Sequence, residues 1–165
     1  MIVVEKLGAV RLVVFDFDGV FTDNTVYVSQ DGSEMIRCWR SDGLGLAKLK
    51  GVGVETAVVS TEANPVVTAR CRKLAIRCVP GCGDKLAEVR RLAAEIGVTL
   101  DDVAFVGNDI NDLSSLQAVG LPIVVQDAHA DVVAIAAYRT AAPGGRGAVR
   151  EICDAIVAAR QRVTV

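Results

Sequence analysis

The chain has 165 residues, 52% hydrophobic and only 4% aromatic, with 18 basic and 20 acidic side chains for a formal charge of −2 and a pI near 5.4. Such a composition suits one compact domain over residues 1–165, with a core of Val, Ala, Leu and Ile, and its charge balance excludes general attraction to nucleic acid or an anionic membrane. No apolar run approaches the roughly 20 residues of a membrane span, and residues 1–6 lack a secretion-signal pattern, so a cytoplasmic protein with a small-molecule partner is expected.

In chain order, the first predicted element is a buried strand over 12–15, which gives way to Asp16-Phe17-Asp18-Gly19-Val20. Residues 25–29 and 34–39, joined by Gln30-Asp31-Gly32-Ser33, read as a β-hairpin that leaves directly after the aspartate pair and forms a flap over about 24–39. Its Tyr27, Met35 and Trp39 are costly on an isolated ribbon and imply burial against a neighbouring subunit. A strand over 56–59 is followed by Ser60. Asn64-Pro65 then marks a helix start, a capping side chain before a proline at the first helical position. After a strand over 76–79, Leu86, Val89, Leu92, Ala93 and Ile96 recur at helical spacing, with Glu88, Arg90, Arg91 and Glu95 on the other side, which predicts a helix over 85–96. Two further strands are predicted at 103–106 and 123–125. This alternation implies an α/β fold, a Rossmann-like doubly wound parallel sheet with helices on both faces and ligands at the carboxyl ends of the strands.

The five cysteines, Cys38, Cys71, Cys78, Cys82 and Cys153, are odd in number and point to reduced thiols rather than a disulfide framework. Cys78 and Cys82 lack the second Cys or His pair of a zinc site. His129, the one imidazole, reads as a loop or helix-start residue.

The strand ends carry the chemistry. Alternate side chains of an extended segment share a face, so Asp16 and Asp18 can enter one site, one attacking while the other handles a proton. Ser60 and the adjoining Thr61 follow the second strand, where a hydroxyl and backbone N–H groups can hold phosphate oxygens. Lys85 opens its helix with an ammonium suited to neutralising a carboxylate and a phosphate. The fourth strand ends in Gly107-Asn108-Asp109-Ile110-Asn111-Asp112, a cluster of hard oxygen donors suited to Mg²⁺.

Taken together, Asp16-Phe17-Asp18-Gly19-Val20-Phe21-Thr22-Asp23, Ser60, Lys85 and the Gly107–Asp112 segment resemble the four motifs of the haloacid dehalogenase superfamily of phosphatases. The hairpin in place of a cap domain, with Asp42-Gly43-Leu44-Gly45 and the late Gly144-Gly145-Arg146-Gly147-Ala148-Val149-Arg150-Glu151, is similar to the capless branch that acts on phosphorylated ulosonic acids. The resemblance implies a Mg²⁺-dependent phosphomonoesterase on a 2-keto-3-deoxy sugar-acid phosphate of the octulosonate 8-phosphate or nononate 9-phosphate type. It also implies a homotetramer in which hairpins and C-terminal tails complete the neighbour's site. By the same resemblance Asp16 is the nucleophile that forms an aspartyl-phosphate and Asp18 the acid and base. Mg²⁺ is held by Asp16, the carbonyl of Asp18 and Asn108, with Asp109 or Asp112 helping, while Ser60, Thr61 and Lys85 hold the phosphate.

Two positions depart from the family pattern. Asn108 stands where members commonly carry an aspartate metal ligand, and Ser60 is followed by Thr61-Glu62 where the octulosonate enzymes commonly have a Gly-Arg pair after the hydroxyl residue. Glu62 with Lys73 resembles the nine-carbon pattern, and Arg146 is the candidate for a substrate carboxylate. A rival reading is a catalytically silent oligomerisation or regulatory domain, like those attached to acylneuraminate cytidylyltransferases. A phosphoacceptor receiver fits poorly, since receivers lack the Asp-x-Asp-Gly turn and the inserted hairpin.

Overall fold

The computed structural model describes residues 3–163. Helix α1 (Val3–Ala9) leads into β1 (Leu12–Phe15), followed by the short strands β2 (Tyr27–Val28) and β3 (Glu34–Met35). Helix α2 (Asp42–Gly51), β4 (Glu55–Val59), α3 (Pro65–Leu74), β5 (Arg77–Val79) and α4 (Lys85–Ile96) come next. The rest is β6 (Val103–Gly107), α5 (Leu113–Ala118), β7 (Leu121–Val124), α6 (Ala130–Val133), β8 (Tyr138–Arg139) and α7 (Ala148–Val163).

Six strands form one sheet in the order β5-β4-β1-β6-β7-β8, with every neighbouring pair parallel. Leu12 lies opposite Glu55 on one side and Val103 on the other, so β1 is central. Its residues are all buried, as are those of β6, which explains the continuous apolar runs: a parallel strand covered on both faces has no polar side. Val13 and Phe15 pack with residues of α1, α2, α3 and α7, whereas Leu12 and Val14 pack with those of α4, α5 and α6. The chain winds outward from β1 through β4 to β5, then returns to β6 and winds the other way. The carboxyl ends of β1 and β6 therefore face each other where the winding reverses, the place where such sheets open a crevice.

Local chemistry sets the helix ends. The Asn64 side chain accepts from Val66 N at 3.1 Å with proline at the first helical position, as the sequence predicts. Asp84 caps α4 by accepting from Ala87 N at 3.0 Å, and α4 spans Lys85–Ile96 as expected. Helix α7, not anticipated from the sequence, buries Val149, Ile152, Cys153 and Ile156, an amphipathic stripe against α1 and α2. Arg160 near its end donates to Val52 O at 3.0 Å and Val10 O at 2.9 Å.

Two expectations change in extent. The last predicted strand, 123–125, is observed as Leu121–Val124. The hairpin is present, but its ladder contains only Tyr27 opposite Met35 and Val28 opposite Glu34. One face of the ribbon is exposed, while Ile36 and Cys38 on the other pack against the core, and its pairing concentrates at its two ends. At the tip Gly32 takes φ +83° and Ser29 N donates to Ser33 O at 2.8 Å. At the root Thr22 bridges Cys38 and Arg37 pairs with Asp23 at 2.6 Å. Among the described residues no helix is long and apolar enough to cross a membrane.

Candidate active site

Asp16 N donates to Val106 O at 2.8 Å, carrying the β1 ladder one residue past the strand and leaving Asp16, 4% exposed, at the sheet's carboxyl rim. The chain then turns, with Val20 N and Phe21 N bonded to Phe17 O at 3.2 and 2.9 Å. Phe17, Val20 and Phe21 are fully buried, so the apolar members of the motif root the turn. Gly19 is required twice: it has φ +83°, and a Cβ there would lie 2.1 Å from Asn108 Nδ2.

Lys85, at the start of α4, aims its ammonium at two carboxylates, 2.8 Å from Asp16 Oδ1 and 2.7 Å from Asp112 Oδ1. Burial disfavours the Lys85 charge, yet Asp16 and Asp112 outweigh it and hold its pKa above the ordinary value. Burial, reinforced by Asp112 and opposed by Lys85, raises Asp16 to about 7. Two carboxylates thus share one ammonium, and the centre carries surplus negative charge.

Asn108, at the end of β6, brings its side-chain amide to 3.0 Å from Asp18 O and 3.2 Å from Asp16 Oδ2. With Nδ2 toward them the amide donates to both; with Oδ1 toward them, three oxygens converge. Its backbone is fixed from two sides: Asn108 N donates to Asp112 Oδ2 at 2.9 Å, and Asn108 O accepts from His129 N at 2.8 Å. His129 itself caps α6, its Nδ1 accepting from Asp131 N, in keeping with the helix-start reading.

Asp18 is half-buried and faces a cavity of about 170 Å³ whose lining includes Asn24, Thr25, Glu34 and Glu62. Burial first, then the charges of Glu62 and Glu34, raise its pKa, with Lys85 partly offsetting them. Ser60, 1% exposed, accepts through Oγ from Glu62 N at 3.1 Å. Ser60 O accepts from Cys82 N at 2.8 Å, stitching the loop after β4 to the loop that delivers Lys85.

The structure therefore gathers Asp16, Asp18, Lys85 and Asn108, with Ser60 on the adjoining strand end. Thr61 and Glu62 are exposed beside Ser60, and Glu62 uses Oε1 to accept from Asn64 N at 2.8 Å. Asp109 does not turn inward: its Oδ1 accepts from Ile110 N at 2.7 Å, and Asp112, fully buried, takes the central place. An aspartate three residues on completes a capping box with Asp109, a signal the Asp109-x-x-Asp112 spacing carries. Lys73 is exposed near the far end of α3, roughly 12 Å along the helix from Pro65 at the helical rise, and Arg146 is exposed outside these contacts. The sequence reading missed Glu34, because only the folded hairpin brings it back over Asp18. All five cysteines are free.

A parallel sheet with a buried aspartate at its central strand end, a lysine ion-paired to it and an amide-bearing loop opposite defines a phosphoryl-transfer site of the doubly wound class. The chain belongs to the haloacid dehalogenase-like hydrolases, whose family model matches residues 62–152. It is 33% identical over 162 residues to the 3-deoxy-D-manno-octulosonate 8-phosphate phosphatase of Escherichia coli strain K12, covering 98% of this chain and 86% of that one. A crystal structure of that phosphatase from Moraxella catarrhalis, in complex with magnesium ion, phosphate ion and KDO, superposes with a TM-score of 0.93 at 30% identity, covering 98% of this chain and 94% of that one. The cobalt-bound deoxy-D-mannose-octulosonate 8-phosphate phosphatase of Haemophilus influenzae gives 0.90 at 30% identity, covering 97% and 94%.

Proposed function

We propose that this chain is a Mg²⁺-dependent phosphomonoesterase acting on a 2-keto-3-deoxy sugar-acid phosphate. The observation that carries the reading is the convergence of Asp16 Oδ2, Asp18 O and the Asn108 amide within 3.2 Å, beside an ammonium already paired to Asp16. The donors fit the metal. One carboxylate, one carbonyl and one amide are hard oxygen ligands of the kind Mg²⁺ takes, and the surplus negative charge of the centre calls for a cation. The Moraxella relative holds magnesium and phosphate.

Asp16, Asp18 O and Asn108 Oδ1 hold the metal in this reading. When bound, Mg²⁺ offsets the repulsion between an anionic nucleophile and an anionic ester. Asp16 Oδ1 attacks phosphorus, and the aspartyl-phosphate forms as the sugar alkoxide leaves. Asp18, whose raised pKa keeps a proton available, protonates that alkoxide and then takes a proton from the hydrolytic water. Lys85 favours the ionised form of Asp16 against the burial that raises it and balances charge on the transferring group, with Ser60 and Thr61 beside it. Asp112 positions Lys85 and the Asn108 backbone rather than binding metal.

The substrate's sugar portion enters over Asp18, where Glu34 and Glu62 accept hydroxyl protons of a polyol. The whole of 1–165 acts as one cytoplasmic catalytic unit with the hairpin as its flap, and the exposed Tyr27, Val28 and Met35 are covered in a homotetramer. Lys73 and Arg146 enter specificity only from a neighbouring protomer. Phosphate release from eight- and nine-carbon 2-keto-3-deoxy acid phosphates, with and without Mg²⁺, tests the reading; turnover that ignores Mg²⁺ refutes it.

One observation favours a second reading. If Asn108 turns Nδ2 inward, its two hydrogen bonds cross-link Asp16 and Asp18 and close the metal position, giving a silent domain that assembles without hydrolysing any ester. Mg²⁺ titration of the protein alone separates the two.

A further inference from the structure

We propose that the glycine strap at residues 143–147, anchored by Asp127, is a positioning element that holds Asp18 O and Asn108 at the spacing a divalent cation needs. The inference rests on the metal reading above and concerns residues that touch neither substrate nor metal.

Gly144 and Gly145 are buried and lie directly on the turn after β1. A Cβ on Gly144 would fall 1.8 Å from Gly19 O, and one on Gly145, itself at φ +67°, would fall 2.3 Å from Asp23 N. Only a backbone without side chains approaches this closely. Gly145 N donates to Val20 O at 3.0 Å, fixing the strap to the turn that carries Asp18. Gly144 N donates to Asp127 Oδ1 at 2.9 Å. Asp127 belongs to the loop after β7, in which His129 N holds Asn108 O at 2.8 Å. One loop therefore grips the Asn108 backbone at one point and the strap at another, and the strap lies against Gly19, which itself lies against the Asn108 side chain. The strap leads straight into α7, whose buried stripe anchors it to the core.

The donors come from two loops with no covalent link near the site, so their separation depends on what wedges them. A displacement of about 1 Å at a reacting centre can cost on the order of 100-fold in rate, and a Cβ at position 144 forces a shift of that size.

Calorimetric titration with Mg²⁺ alone, on the full chain, tests this in Gly144→Ala, Asp127→Ala, Asp127→Asn and Gly120→Ala. Gly120→Ala is the control for packing damage: its Cβ would lie 2.1 Å from Asp101 O, at the opposite rim of the sheet. Gly144→Ala should weaken Mg²⁺ binding by at least about tenfold and lower kcat roughly 100-fold, with a smaller change in KM. Gly120→Ala should lose thermal stability and keep its Mg²⁺ affinity. Asp127→Ala should weaken Mg²⁺ binding severalfold and Asp127→Asn, which keeps an acceptor oxygen, should restore it; this pair decides the matter if Gly144→Ala fails to fold. Equal Mg²⁺ affinity in wild type and Asp127→Ala overturns the proposal, as does equal loss in Gly120→Ala and Gly144→Ala. If the wild type binds no Mg²⁺, the metal reading fails separately. Hydrogen exchange of the Val20 and Phe21 amides then reads the strap: faster exchange in Asp127→Ala than in Asp127→Asn supports it, and equal exchange overturns it.

Discussion

The buried centre and the exposed hairpin are built from opposite materials. Around Asp16 the polar groups are almost wholly removed from water, and each is held by a named partner: Lys85 by two carboxylates, Asp112 by two backbone N–H groups. The hairpin leaves Tyr27, Val28 and Met35 each more than half exposed, at 65, 64 and 66%, on a ladder two residues long. Charge is buried where it must be exact in position, and apolar surface is exposed where a partner can cover it. The first arrangement costs stability and yields reactivity; the second leaves the monomer's stability nearly untouched.

The largest expected effects break the centre. Asp16→Asn removes the proposed nucleophile and should lower turnover on the order of 10⁴-fold or more, measured as phosphate release, while thermal stability holds or rises because a desolvated carboxylate is gone. Phosphate release at the wild-type rate would falsify the assignment of Asp16. Lys85→Met removes the ammonium and strands Asp16 and Asp112 together in a dry site. Breaking a buried pair in this way costs about 3–5 kcal/mol, so urea denaturation should show a clear loss, and added Mg²⁺ should recover part of it.

How much of this was legible beforehand follows from the range of the forces involved. The parallel sheet was readable because β1, β4 and β6 are short β-branched runs buried on both faces, and α4 because its apolar residues repeat at helical spacing. Asp16, Ser60 and Lys85 stood out because each sits immediately after a strand or opens a helix, and Asp18 because it shares Asp16's face two residues on. Lost to inspection were features fixed by distant contacts. Asp109 and Asp112 are the same residue type three positions apart, and the tight turn at Ile110 sets which of them faces Lys85. Glu34 reaches Asp18 through the curl of the hairpin. For the glycine pair at 144–145, nothing local shows that it lies on a turn more than a hundred residues earlier.

A third buried carboxylate sharpens the comparison, because it lacks an ammonium. Asp42 is 1% exposed; its Oδ1 accepts from Arg150 N at 3.2 Å near the start of α7, and its Oδ2 has no hydrogen-bond partner among the described residues. Burial, only partly offset by the Arg150 hydrogen bond and the nearby Arg70 and Arg150 charges, raises its pKa from 3.8 to about 6. Because the folded-state value lies above the unfolded one, folding takes up protons between pH 4 and 6. The contribution of Asp42 is therefore fully present below pH 4 and lost as pH rises through 6. Asp42→Asn should match wild type near pH 4 and become more stable above pH 6, by up to about 3 kcal/mol at 1.36 kcal/mol per unit. Chemical denaturation across pH 4–8 measures the difference curve; a gap that does not widen with pH would refute the buried-charge account.

The smallest effect on stability belongs to the hairpin, and that smallness is itself the prediction. Tyr27→Ser with Met35→Ser removes apolar surface that already faces solvent in the protomer, so its folding free energy should change by less than about 0.5 kcal/mol when measured at low protein concentration. If the proposed assembly covers the ribbon with a second copy, the same pair should shift it toward smaller species in sedimentation velocity. Root contacts at Thr22, Asp23, Arg37 and Cys38 are untouched by the substitutions, so the ribbon keeps its place over Asp18. A stability loss of 2 kcal/mol or more in the dilute protomer would show that these side chains pack on their own chain, and the division between a self-sufficient centre and a partner-dependent arm would no longer hold.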